Sequence, residues 1–290
     1  NRQIQRMRNG IVGKVLDEFK AMRDTDADQY ATFWEEFGKV LKEGLFQDRD
    51  NQETLLGLLR AASTNDDVAL TSLDAYVDRM PPAQEAIYYM TGESRKKIAG
   101  SPHLEAFRAK GYEVLLLSDP VDEIWTQSVF EYKGKKLQSV GKGAVDLGTE
   151  AEKKEAEEKR QEQQKEYGAL FDCLKEKLAE HVKEVRLSNR LTESAVCLVT
   201  DAYDMTPQVE KLMRAMGQDV PEVKRILEVN AAHPILERLH AIHAADASDA
   251  RLEDYAALLY GQAALAEGGQ LPDPAGFSKL VAKLMAQTLS

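Results

Sequence analysis

The sequence predicts an α+β protein of more than one domain. Three observations carry that expectation. Apolar residues recur at helical steps near both ends of the chain, a strand–helix–strand pattern occupies residues 86–117, and a run of charge and glutamine from Glu150 to Glu166 divides the two. A length of 290 residues also favours two or three compact units over one. The expected organisation is residues 1–149, made of a three-helix unit to about residue 65 and a small α/β sandwich with a βαβ crossover after it. A mainly helical domain, residues 150–290, follows with a small sheet and a closing helix pair.

The elements justify this in order. Ile4, Met7, Ile11, Val15, Phe19 and Met22 recur at steps of three and four and form one helical stripe, weakened locally by Gly10 and Gly13. Tyr30, Phe33, Trp34, Phe37, Val40 and Leu41 mark a second helix that stops at Gly44, and Leu55–Leu59 a third. Short links between them suggest antiparallel packing. The run Ala86–Met90 and the run Tyr112–Leu117 read as strands, with a helix ending at Gly111 between them; that crossover makes the strands parallel and buried. Asp119 before Pro120 reads as the N-cap of a helix carrying Val121, Ile124, Trp125 and Val129. Two short strands flank the Lys133–Gly134 turn.

The charged run Glu150–Glu166 has no apolar face, so it is a solvated linker or the exposed start of a helix. From Tyr167 the helical pattern is amphipathic through Leu170, Phe171, Leu174, Leu178, Val182 and Val185. Strands are expected at Glu184–Ser188 and Ala195–Thr200, and everything after the next helix is expected to be helical, with Pro221 opening a turn or two and His233-Pro234 a short helix.

Composition excludes several function classes. A net charge of -11, with Lys and Arg interleaved among acids, leaves no basic patch for nucleic acid. No apolar run has membrane length, and two cysteines make no disulfide framework, so a reducing, cytoplasmic setting is expected. The chain starts at Asn1 in mid-pattern without a methionine, which is read as a piece of a longer protein. No catalytic or metal-ligating set emerges. Gly141–Gly143 lacks the spacing of a phosphate loop, and Thr91–Ser94 reads as a plain β-to-α turn. His240 and His243 share a helical face with no further ligand at metal spacing, and Cys197 in an apolar strand is most simply core.

One helix stands apart. Thr206 suits an N-cap, Pro207 the first turn and Gly217 the C-terminal stop, and Met205, Val209, Leu212, Met213 and Met216 form one stripe between them. Such a helix packs on its own domain by default. Methionine argues the other way, because a surface that receives varied partners benefits from adaptable, polarizable side chains. The last two helices raise a related question. Leu252, Tyr255, Leu259 and Ala263 form one stripe, and Phe277, Leu280, Val281 and Leu284 the next. They either dock on the body of their own chain or pair with a second copy in a four-helix bundle.

Several phrases together resemble the ninety-kilodalton heat-shock chaperone family, nearest to its bacterial branch. The segment Thr32–Gly44, the Tyr76–Met80 stretch with Gln84 and Ile87-Tyr-Tyr89, and Ser101–Phe107 leading into Gly111–Glu123 are similar to its middle domain. Lys211-Leu-Met213, Ile226–Asn230 and His233-Pro234 resemble its C-terminal domain, in colinear order over nearly the whole chain. The resemblance implies a homodimer joined by the last two helices, which remodels unfolded or partly folded client proteins. It implies that ATP and Mg bind in an N-terminal domain outside this chain, so that this part has no cofactor and is no enzyme by itself. It implies client contact at Met205–Met216 and at an apolar patch near Ile124 and Trp125. Some bacterial relatives carry tryptophan directly after the Asp-Glu pair, whereas here Ile124 does and Trp125 is rotated by about 100° on the helical wheel. A non-catalytic dimeric scaffold that binds one defined helical partner is the alternative.

Overall fold

The computed structural model describes residues 2–145, 147–221 and 223–288. The chain divides into two compact units, Asn1–Arg95 with Glu113–Ser139, and Lys96–Tyr112 with Val140–Ser290.

The first unit opens with α1 (Arg2–Thr25), α2 (Ala27–Gln47) and α3 (Gln52–Leu58). The Asp26 carboxylate caps α2 by accepting from the Gln29 amide. The packing face of α1 is Val12, Leu16, Phe19 and Met22, while Ile4, Met7, Ile11 and Val15 of the expected stripe lie exposed beside it. Phe19 of α1 meets Phe33 of α2 with ring centroids 4.3 Å apart. Two strands not expected from the sequence come next, β1 (Arg60–Ser63) and β2 (Asp66–Ser72), so the first 65 residues are not purely helical. After α4 (Leu73–Arg79) comes β3 (Ala86–Thr91).

Between β3 and the following strand lie α5 (Arg95–Ala99) and α6 (Glu105–Ala109), which end at Gly111, where φ is +69°. The strand itself, β4 (Val114–Leu117), is parallel to β3, as a crossover requires. Next come α7 (Asp122–Trp125), β5 (Glu131–Tyr132) and β6 (Lys135–Ser139), giving a six-stranded mixed sheet in the order β2-β1-β4-β3-β6-β5. The expected helix after Pro120 is only one turn long, and Asp119 does not cap it. Its carboxylate instead accepts from Lys42 at 2.8 Å, because that buried ammonium lacks water and takes both Asp119 and Asp122 as partners. Leu16, Trp34, Leu58, Tyr76, Ile87 and Leu115 are among the core residues of this unit.

The second unit is built on α8 (Glu150–Lys177), a single 28-residue helix that absorbs the whole charged run. Its start is fixed by a capping box, in which the Thr149 hydroxyl accepts from the Glu152 amide and Glu152 accepts from the Thr149 amide at 2.7 Å. Burial begins at Tyr167, where the amphipathic pattern begins, but the helix ends at Lys177, so Val182 and Val185 of the expected helical stripe lie instead in the strand that follows. Then follow β7 (Val182–Leu187), β8 (Val196–Val199), α9 (Pro207–Ala215) and β9 (Arg225–Val229). Finally α10 (Pro234–Ala245), α11 (Arg251–Ala266) and α12 (Pro274–Thr288) complete the chain.

The expectation of helix alone after α9 is corrected by β9. This strand is the centre of the three-stranded sheet, parallel to β7 and antiparallel to β8, and all five of its residues are buried. Its core mates include Leu170, Phe171 and Leu174 of α8 and Leu252, Leu259 and Ala263 of α11. Cys197 is buried in β8, and burial pushes its thiol well above the ordinary value.

Candidate interaction surfaces

The methionine helix α9 has well-formed ends. The Thr206 hydroxyl accepts from the Val209 amide at 3.2 Å, and Pro207 occupies the first turn. At the other end the Gln218 amide donates to the Met213 carbonyl at 3.1 Å and the Gly217 amide to Arg214 at 3.0 Å. That pattern is a Schellman motif, with Gly217 at φ +80°. The apolar stripe is not enclosed. Met205, Val209, Leu212 and Met213 are half-buried, and Met216 is 68% exposed.

The buried side chain of α9 is a carboxylate. Glu210 is ion-paired with the Arg225 guanidinium at the start of β9, and both are almost fully buried. Arg225 Nη1 also donates to the Met205 carbonyl at 2.6 Å. Sequence inspection missed this pair. The available signal was Arg225 beside the apolar residues Ile226, Leu227 and Val229, a charge that a buried strand tolerates only with a partner.

A second charged centre lies in the same unit. Glu228 on β9 accepts from Arg190 Nε at 2.9 Å, from Arg186 Nη2 at 2.9 Å and from the Ser188 hydroxyl at 2.9 Å. Arg190 further donates to the carbonyls of Val140 and Gly143. Its Nη1 lies 3.5 Å from Nδ1 of the buried His103, whose Nε2 is 3.1 Å from Glu267. Arg190 carries no acceptor, so Nδ1 accepts and Nε2 donates to Glu267. The arrangement is a structural hub. Among the described residues no group of three or more His, Cys, Asp or Glu side chains is placed to hold a metal ion.

The terminal helix pair sorts the expected interface residues into two sets. Leu252, Leu259 and Ala263 are fully buried inside the protomer, because that face of α11 packs on β8 and the unit's core. These three are therefore not available to a second copy, contrary to expectation. Tyr255 is half-buried, as are Phe277, Leu280 and Leu284 of α12, while Val281 is 36% and Met285 61% exposed. No described side chain of α12 is buried. Phe277 approaches α11 at Gly261, where an added Cβ would fall 2.5 Å from its ring. Beside this contact an open cleft of about 250 Å³ lies among His181, Tyr260, Leu271, Phe277 and Leu280.

The expected patch on the first unit is also divided. Ile124 is exposed, at 39%. Trp125 is completely buried, and its indole nitrogen donates to Asp122 Oδ1 at 2.7 Å. Asp122 is itself held by Lys42. The one-turn helix α7 points Trp125 into the core, so its expected place on a partner-facing surface is corrected.

The model of the family described as "Hsp90 protein" matches residues 1–290. The chain belongs to the Hsp90 family. Among curated proteins it is 52% identical over 289 residues to "Chaperone protein HtpG" of Frankia casuarinae, covering 100% of this chain and 44% of that protein. It is 53% identical over 289 residues to the protein of the same name from Mycobacterium avium, covering 45% of it. The chain thus spans less than half the length of these Hsp90 relatives. No described helix is long and apolar enough to cross a membrane.

Proposed function

We propose that this chain is the dimerisation and client-binding portion of an ATP-driven chaperone, holding or remodelling partly folded proteins against exposed apolar surface. The observation that carries this reading is α9, an amphipathic helix that buries a carboxylate and leaves its methionine face only half-covered, with Met216 exposed. Leaving large apolar side chains in water forgoes roughly 1.5–3 kcal/mol each, so a stripe of them requires a use. Met205, Val209, Leu212, Met213 and Met216 are the client contacts in this reading, with Ile124 as a separate apolar point. Membership of the Hsp90 family supports it, as does the chaperone name that its relatives carry.

The helix α12 supports self-association. Its apolar residues are only partly covered in the protomer, and a second copy related by a two-fold axis would cover them in a four-helix bundle. Tyr255, Phe277, Leu280, Val281 and Leu284 form that interface. In the same reading residues 1–149 are the remainder of a middle domain and residues 150–290 the dimerisation domain of a cytoplasmic protein. ATP and Mg are assigned to the part of the relatives that this chain does not span.

Two paired substitutions test the reading. Met205→Ser with Met213→Ser weakens binding of a permanently unfolded protein without changing the sedimenting mass; unaltered affinity would remove α9 from the client surface. Leu280→Asp with Leu284→Asp yields monomers, and a variant that still sediments as a dimer places the interface elsewhere.

A further inference from the structure

The one fully buried side chain of α9 is a carboxylate, while its apolar residues are at most half-buried. Three cations from different segments hold the helix and the loop before it. Lys183 of β7 pairs with Asp201 at 2.6 Å and Asp204 at 2.9 Å. Lys142 donates to the Asp204 carbonyl at 2.9 Å. Arg225 reaches the helix itself, gripping the Glu210 carboxylate in its first turn and the Met205 carbonyl just before it. The contacts of Lys183 and Lys142 end at Asp204, and the buried ion pair that reaches α9 itself is that of Arg225.

We infer that the Arg225–Glu210 pair is a latch that sets whether the methionine face is presented on a docked helix or on a released one. The inference rests on the reading of α9 as the client-binding face and adds its regulation. A helix docked through its apolar residues would hide them, whereas a helix docked through a carboxylate keeps them available. Neutralising either partner removes the grip on α9. The hydrophobic core that joins α8, α11 and the three-stranded sheet is built from other residues and stays intact. Released from its support, a helix of nine residues is marginal in water even with its Schellman end and Thr206 cap, so its amides open to exchange once the attachment is lost.

The test is amide hydrogen exchange on the full chain, comparing the wild type, Glu210→Gln and the exchanged pair Glu210→Arg with Arg225→Glu. In Glu210→Gln, exchange across residues 207–216 is expected to accelerate at least tenfold while the amides of β9 keep their wild-type rates. The exchanged pair is expected to recover most of the protection. Unchanged rates in α9, an acceleration shared equally by β9, or no recovery in the exchanged pair would each overturn the latch. Binding of a permanently unfolded protein is measured in parallel on the same variants. Release of α9 with no change in that binding leaves the latch standing and removes the client-binding reading instead.

Discussion

Arg225 and Glu210, fifteen residues apart, face each other in a dry pair that ties the central strand of one sheet to a helix whose apolar side is only half-covered. A fixed buried pair is strongly sensitive to loss of one partner, by roughly 3–5 kcal/mol, because the other charge is stranded. Here the helix that carries Glu210 buries no other side chain fully. Arg225→Met and Glu210→Leu are each expected to cost less than that range, since lifting α9 returns the remaining charge to water. Urea unfolding at neutral pH measures this, and a full-sized loss in either variant would mean that α9 stays seated without its ion pair.

Gly261 fixes how close α12 comes to α11. A methyl group there would meet the Phe277 ring at 2.5 Å, so Gly261→Ala displaces the last helix. Overpacking of this kind costs about 1–3 kcal/mol in a core. Because α12 buries no described side chain in the protomer, the effect is expected to fall on dimer affinity more than on the protomer's own unfolding. Sedimentation equilibrium over a range of concentrations, set beside urea midpoints, separates the two. An unchanged dimer fraction would exclude α12 from the interface.

The parts of the fold legible in the sequence are those in which one face is apolar and the ends are marked. The parallel β3–β4 pair was readable from two uninterrupted apolar runs, and α9 from Thr206, Pro207 and Gly217. The strand β9 was obscured because Arg225 and Glu228 interrupt its apolar run, and only the folded chain brings them Glu210 and Arg190 as partners. β1 was obscured by Ala61, Ala62 and Ser63, which have small side chains and weak strand preference. The stripe on α11 was visible, but a pattern gives a face without saying what covers it. Leu252 and Leu259 turned out to lie against the protomer's own sheet.

Trp125 is expected to behave as a core residue. Trp125→Phe removes the indole hydrogen bond to Asp122 and some packed volume, and is expected to destabilise the chain by about 1–3 kcal/mol. Asp122 retains Lys42 and the Asp119 amide as partners, which limits the loss. Binding of an unfolded protein is expected to be unaffected, whereas Ile124→Ser, at an exposed position, is expected to weaken it modestly. Reduced binding in Trp125→Phe, at a temperature where the variant remains folded, would return that side chain to the client surface.

Acid sensitivity is expected to centre on Glu228. Burial alone would raise its carboxyl; the Arg190 charge, then the hydrogen bond and charge of Arg186 and the Ser188 hydroxyl, outweigh it and hold the group below the ordinary value. A carboxyl depressed in the folded state binds its proton more readily once unfolded. Its contribution is therefore complete above the unfolded value of about 4.3 and is lost as pH falls through the lower folded one. Between pH 5 and 7 this group adds no slope. Glu228→Gln is expected to be less stable at pH 7, because Arg190 and Arg186 lose their anion, and to lose less than the wild type on going from pH 5 to pH 3. Urea midpoints for both proteins at pH 7, 5 and 3 give the comparison. An equal acid loss in the two would mean that other carboxylates carry the transition, and that the charge at the centre of the β9 sheet is not what acid undoes.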